Sequence, residues 1–210
     1  SGVRLDRTGC LYTDRRKNHM IEQITDLQFK RVCMFINEHR DLMKKLFNIK
    51  VNLSSLDLMR SDCSSHFIRM MDDMDIHHDW IQFEITETVA TEYNAGLGMV
   101  IDGFMAAGVR LCLDDFGSGY ANLNTVMRLP FSAIKIDRTL LFDICNDKKR
   151  AMFYQSIVET FHRMGYSIVS EGVETEEEMS LLSSWGVDMI QGYYFSRPLP
   201  VDELLKLLNM

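Results

Sequence analysis

Polar residues that could carry out catalysis recur at the ends of short apolar segments along this 210-residue sequence. Six such segments each end on, or one position before or after, an amide, carboxylate or ammonium side chain. The six residues are Asn52, Glu84, Asp114, Lys135, Glu171 and Gln191. One polar residue at such a position is commonly a helix cap or a surface group. Six of them on six consecutive segments indicate one shared site.

The acidic members of this set indicate which chemistry the site performs. Asn52, Glu84 and the adjacent pair Asp114 and Asp115 offer oxygen ligands, which suit Mg²⁺ or Mn²⁺ better than Zn²⁺. Neighbouring aspartates can serve two ions, and two ions about 3.5–4 Å apart clamp the attacking and leaving oxygens of a phosphodiester. The pattern predicts a two-metal site, with Lys135 holding phosphate or the nucleophilic water.

Glu171 has two roles open to it at such a site. It is either a ligand of the second ion or a general base, and the sequence does not separate these roles. The segment FGSG at 116–119 follows the two aspartates. It predicts a tight loop of small residues, in which the backbone can approach a ligand closely.

The elements that position these residues alternate between strand and helix. Apolar runs predict strands at 48–53, 80–85, 109–114, 133–136, 167–171 and 188–191. Amphipathic helical patterns lie between them, and three of these end at Gly108, Gly165 and Gly186, as helices commonly do. Such alternation predicts βαβ units and a parallel sheet.

Two parallel-sheet architectures are compatible with this alternation. In an open doubly wound sheet the catalytic groups gather at one crevice, whereas in a closed barrel every strand can contribute to a site at the carboxyl-terminal rim. Because all six predicted strands contribute a polar residue, we expect an α/β fold of the (β/α)8 TIM-like barrel type. Two strands are then missing, at the N-terminal end.

Composition restricts the class of protein further. Acidic residues exceed basic ones by 30 to 23, which gives a net charge of −7 and argues against binding to duplex nucleic acid. Five widely spaced cysteines without a C-x-x-C pair predict free thiols in a reducing compartment.

No apolar run approaches 18 residues, so we expect a cytoplasmic protein without direct membrane contact. Since the chain starts at Ser1 and not at Met, we expect residues 1–210 to be one domain excised from a larger protein.

Several sequence blocks resemble those of a known family. DDFGSGYANL, LPFSAIKIDRTLL, SEGVET and QGYYFSRPLP are similar to signature blocks of the EAL-domain family, as are FEITET and KVNLS. The resemblance extends from about Ile21 to Pro200. It implies a (β/α)8 barrel that hydrolyses cyclic di-GMP to linear pGpG with two Mg²⁺ or Mn²⁺ ions. It also implies a homodimer, and a domain that is often fused to sensor or GGDEF domains.

The resemblance also implies metal ligands, position by position. Asn52, Glu84 and Asp114 match ligands of the first ion. Asp114 and Asp115 match ligands of the second ion, where Glu171 is also found close by.

Further positions match residues with other roles in the family. Lys135 matches the lysine that touches the attacking water, and Gln191 matches a glutamine near the metal-bound water and substrate. Glu87 matches a residue that steadies the DDFG loop, which contains Gly117. Arg4 falls in a stretch that resembles the substrate-binding segment after the Glu-Ala-Leu motif.

The sequence departs from the family at its N-terminal end. The Glu-Ala-Leu tripeptide is absent, and its glutamate, a ligand of the first ion in the family, would fall immediately before Ser1. The F-I-P-x-A-E block is also missing between Tyr12 and Met20. Because the downstream positions are intact, we expect the full protein to contain these residues. We do not expect them to have been lost in evolution. The alternatives are an impaired domain that acts as a cyclic di-GMP receptor or protein-interaction module, and an unrelated barrel enzyme acting on a sugar phosphate.

Overall fold

The computed structural model describes residues 15–46, 48–91, 94–119 and 123–208, with side chains described from residue 23 onward except at 123–125. These residues form six parallel strands in one sheet. The strands are β1 (Ile49–Asn52), β2 (Ile81–Thr86), β3 (Arg110–Phe116), β4 (Ala133–Ile136), β5 (Ser167–Ser170) and β6 (Met189–Ile190). All six predicted strands are confirmed, each to within two residues at either end.

The order of the strands in the sheet distinguishes between the two predicted architectures. The order is β1-β2-β3-β4-β5-β6, so each strand pairs with its neighbour in sequence. A doubly wound sheet instead contains a point at which the strand order reverses. The sequential order among the described residues is that of six consecutive strands of a (β/α) barrel, and the predicted fold class is confirmed.

Helices alternate with these strands along the chain. They are α1 (Arg15–Glu38), α2 (Arg40–Met43), α3 (Ser55–Leu58), α4 (Cys63–Asp73), α5 (Glu87–Thr91), α6 (Ala95–Ala106), α7 (Leu123–Arg128), α8 (Arg138–Leu141), α9 (Lys148–Arg163), α10 (Glu176–Ser184) and α11 (Val201–Leu208). The predicted stops after α6, α9 and α10 are confirmed, since Gly108, Gly165 and Gly186 have positive φ angles of 78°, 90° and 78°. No helix in the described part of the chain has the length and apolar character needed to cross a bilayer.

Apolar packing between helices and strands fixes the sheet. Phe83 of β2 lies 5.5 Å from Phe29 of α1, 5.4 Å from Phe67 of α4 and 4.8 Å from Phe104 of α6, measured between ring centroids. All four rings are fully buried, and contacts between rings at such distances are favourable. The odd-numbered side chains of β2 therefore face the helices, and its even-numbered ones face the inside of the barrel.

Candidate functional site

Lys135 lies at the centre of a cluster of carboxylates at the carboxyl ends of four neighbouring strands. Its Nζ atom is 3.0 Å from Oε1 of Glu84, 2.8 Å from Oδ1 of Asp114 and 2.6 Å from Oε1 of Glu171. These residues belong to β2, β3, β4 and the position directly after β5. Because parallel strands end at the same rim, residues distant in sequence meet here.

The environment of Lys135 keeps its side chain charged. Burial on its own lowers the pKa of the ammonium group, but hydrogen bonds to Asp114 and Glu171 and the charge of Glu84 raise it well above its ordinary value. The protonated form of Lys135 is therefore favoured in the metal-free site. It can hold an anion or orient a water molecule through its N–H groups.

Asp115 reaches the same cluster because β3 is irregular at this point. Consecutive side chains in a regular strand point to opposite faces, but the pairing of β3 with β4 shifts register between Leu113 and Phe116. Asp115 has a positive φ of 58°, and its backbone N–H donates to Oδ1 of Asp114 at 3.0 Å. Carboxylate oxygens of Asp114, Asp115 and Glu171 consequently lie within 4.8 Å of one another.

The cluster has an excess of negative charge. Burial raises the pKa of the Asp115 carboxyl, as do the charges of Asp114 and Asp137. Burial also raises the pKa of Glu171, against the opposing effect of Lys135. Among the described residues, the buried Oε1 of Glu84 accepts no hydrogen bond of good geometry. Three carboxylates around one central ammonium group, with the carboxylate of Asp115 beside those of Asp114 and Glu171, fit a site for hard divalent cations, which take oxygen ligands.

Glu87 connects the end of β2 to the loop that follows the two aspartates. Its Oε2 atom accepts a hydrogen bond from the backbone N–H of Gly117 at 2.9 Å, and the side chain is buried. Gly117 has a φ of 92°, and an added Cβ would collide with the side chain of Leu140. The loop therefore requires glycine at this position, and Glu87 satisfies its amide.

Two of the remaining predicted site residues, Asn52 and Gln191, lie at the ends of the strands β1 and β6. Asn52 ends β1 in register with Glu84, and its side chain is exposed. Gln191 follows β6, where its backbone N–H donates to the carbonyl of Ser170 at 2.8 Å and its side chain borders a cavity lined by Tyr193 and Arg197. Arg4 lies outside the described residues.

Two contacts near the site were not predicted from the sequence. Nζ of Lys50 lies 3.7 Å from Oε1 of Glu84. The sequence could have predicted this contact, because Lys50 occurs two positions before Asn52 in the KVNLS block and residues two apart in a strand point to the same face. The buried hydroxyl of Tyr154 in α9 donates to Oγ of Ser170 at 2.7 Å. The sequence gives no signal for that contact, because it depends on how α9 packs against β5.

Comparison with known proteins places this architecture in a family. Residues 12–198 match the EAL domain. The chain is 29% identical to the cyclic di-GMP phosphodiesterase NbdA of Pseudomonas aeruginosa over 193 residues, which are 91% of this chain and 24% of that protein. It is 36% identical to the probable cyclic di-GMP phosphodiesterase PdeA of Escherichia coli K12 over 161 residues, or 76% of this chain and 22% of that protein.

A solved structure supports the same assignment. The PaMucR phosphodiesterase in complex with c-di-GMP superposes with a TM-score of 0.76 at 29% identity, covering 90% of this chain and 76% of that chain. In contrast to that structure, the curated relatives NbdA and PdeA are much longer, and the chain spans about a quarter of their length. Its sequence match and its strand order together show that the chain belongs to the EAL domain family.

Proposed function

We propose that this domain hydrolyses cyclic di-GMP to linear pGpG at a two-metal site on the carboxyl-terminal rim of the barrel. The observation that carries the proposal is the cluster around Lys135, whose ammonium group lies within 3.0 Å of three carboxylates from different strands. The relatives support it, because NbdA and PdeA are named as cyclic di-GMP phosphodiesterases.

The proposal assigns the metal-binding role to oxygen ligands of this chain. Glu84, Asp114 and Asp115 would hold two Mg²⁺ or Mn²⁺ ions, with Asn52 adding an amide oxygen beside Glu84. When bound, two such ions supply an activated water and neutralise the charge that develops on the phosphodiester. Glu171 belongs to the same group of carboxylates as Asp114 and Asp115, which favours its role as a ligand over that of a general base.

The other site residues bind and orient the substrate in this proposal. Lys135 remains protonated and donates hydrogen bonds from Nζ to the attacking water or to phosphate. Gln191 and Arg4 contact the substrate, and the hydrogen bond from Gly117 to Glu87 holds the loop beside Asp115 in place. The loop thereby keeps the metal ligands of β3 oriented.

The proposal extends to the compartment, the oligomeric state and the fused domains of the protein. We propose that residues 1–210 form one domain of a longer cytoplasmic protein, which acts as a homodimer and carries sensor or GGDEF domains. Cys33, Cys63 and Cys112 are buried free thiols, which supports a reducing compartment. Relatives with names such as oxygen sensor protein DosP and bifunctional diguanylate cyclase/cyclic di-GMP phosphodiesterase MucR support the fusion.

Turnover of cyclic di-GMP tests the proposal directly. The purified chain is incubated with cyclic di-GMP and Mn²⁺, and pGpG is quantified by chromatography. We expect Glu171→Ala to lower the rate by about 100-fold or more. The matched control Glu177→Ala, an exposed glutamate of α10, should leave the rate unchanged. Unchanged turnover in Glu171→Ala would show that the site is wrongly assigned.

A second candidate function is binding without hydrolysis, and the similar PaMucR structure contains bound c-di-GMP. In this alternative the barrel is a cyclic di-GMP receptor. Calorimetric binding of cyclic di-GMP with no pGpG formed would support the receptor. Formation of pGpG would exclude it.

A further inference from the structure

Lys50 places a second ammonium group on the inner face of the barrel. It lies in β1 two positions before Asn52, and residues two apart in a strand point to the same face. Lys50 is in register with Gln82, whereas Asn52 is in register with Glu84. Lys50 therefore lies one layer below the rim that carries the proposed metal ligands.

The limited exposure of Lys50 supports this inward orientation. Its side chain is 22% exposed, and its Nζ atom lies 3.7 Å from Oε1 of Glu84, whose side chain is 5% exposed. The ammonium group of Lys50 therefore acts on the inside of the barrel.

The carboxylate of Glu84 lies between two ammonium groups. The same oxygen, Oε1, lies 3.0 Å from Nζ of Lys135 and 3.7 Å from Nζ of Lys50. The Glu84 side chain is only 5% exposed, and within the described residues Oε1 accepts no hydrogen bond of good geometry. Oε1 of Glu84 therefore faces two ammonium groups.

A fixed positive charge at this position has opposite effects on the two states of the site. It stabilises the crowded carboxylates when no metal is bound, and it repels a divalent cation that approaches Glu84, since charges interact strongly over a few ångströms in a partly buried site. We propose that Lys50 is a positioning residue that neutralises Glu84 in the metal-free protein and thereby weakens the binding of divalent cations. This inference rests on the proposed metal site.

Direct measurement of Mn²⁺ binding tests the role of Lys50. Isothermal titration of the purified chain with Mn²⁺ is compared between the wild type, Lys50→Met and Lys50→Arg. We expect Lys50→Met to bind Mn²⁺ about tenfold more tightly and to unfold at a lower temperature when metal-free. Lys50→Arg, which keeps the charge, should stay within about twofold of the wild type. Lys45→Met is the matched control, since Lys45 is exposed and its removal should change neither quantity.

The outcomes separate this inference from the proposal on which it rests. Equal Mn²⁺ affinity in the wild type and Lys50→Met contradicts the role of Lys50, as does a change in Lys50→Arg as large as that in Lys50→Met. If Lys50→Met does not fold, Lys50→Gln provides the same loss of charge with a polar side chain. A folded wild type that binds no Mn²⁺ contradicts the metal site itself.

Discussion

Asp115 combines an unusual backbone conformation with a carboxylate at the site. Its φ of 58° lies in the left-handed region, which asparagine and aspartate tolerate better than other residues with a side chain. In this conformation its side chain joins those of Asp114 and Glu171. The residue type is thus constrained twice, by the conformation and by the charge.

Two substitutions separate these constraints at the residue scale. Asp115→Asn keeps a side chain suited to a positive φ and removes the charge, so we expect hydrolysis to fall by about 100-fold or more. Asp115→Ala should lower hydrolysis equally and be less stable than Asp115→Asn by about 1 kcal/mol, because alanine is poorly tolerated at positive φ. Turnover and urea unfolding measure the two effects. Equal stability of the two variants would contradict the role of the backbone.

At the scale of elements, Glu87 joins α5 to the loop after β3. Glu87→Ala leaves the N–H of Gly117 without its partner, which should lower the free energy of unfolding by about 1–3 kcal/mol and reduce turnover by about tenfold. Glu87→Gln keeps an oxygen acceptor and should recover most of both quantities. Thermal unfolding and turnover are the measurements. A Glu87→Gln variant as damaged as Glu87→Ala would show that charge, not the hydrogen bond, is what matters.

His78 connects the end of α4 to the end of α6. Its Nδ1 contacts the carbonyl oxygen of Ala107 at 2.7 Å, and its Nε2 contacts Oδ1 of Asp72 at 2.9 Å. The bond to Ala107 raises the pKa of His78 above 6.5, with burial opposing it and Asp72 and Asp79 adding to the rise. Both ring nitrogens face acceptors, so the protonated ring satisfies both contacts.

The raised pKa of His78 predicts a pH-dependent stability. The folded state binds the proton more tightly, so the stabilisation is fully present below about pH 6.5 and is lost as pH rises through the higher folded pKa. The difference in unfolding free energy between wild type and His78→Gln should therefore shrink between pH 6 and pH 9, by less than about 1 kcal/mol because the pair with Asp72 is partly screened by solvent. His77→Gln is the control, since His77 is more exposed. A constant difference across this range would contradict the prediction.

At the scale of the whole molecule, the carboxylate cluster makes stability depend on metal. Glu84, Asp114, Asp115 and Glu171 come from three strands, so cations that bind among them link elements that are distant in the chain. At a Mn²⁺ concentration 100 times its Kd, we expect about 2.7 kcal/mol of added stability, or roughly 5–10 °C in Tm. Scanning calorimetry with Mn²⁺ and then with excess chelator measures this. An unchanged Tm would contradict the metal site.

Local sequence patterns determined which elements form in this protein. Short apolar runs specify strands, and glycines such as Gly108 and Gly165 specify where helices end. The polar residues at the strand ends could also be identified from the sequence, because barrels place functional groups at the carboxyl-terminal rim of the sheet. The blocks from KVNLS to QGYYFSRPLP predicted the family, which the comparison confirmed.

Only the tertiary structure decided how the side chains meet. The register shift in β3 and the positive φ of Asp115 bring two consecutive aspartates to one cluster, a geometry that a regular strand forbids. The contact of Lys50 with Glu84 depends on the register between β1 and β2. Sequence determines the elements because propensity and periodicity act over a few residues, whereas the charges within the site are set by pairings between strands that lie 20 or more residues apart.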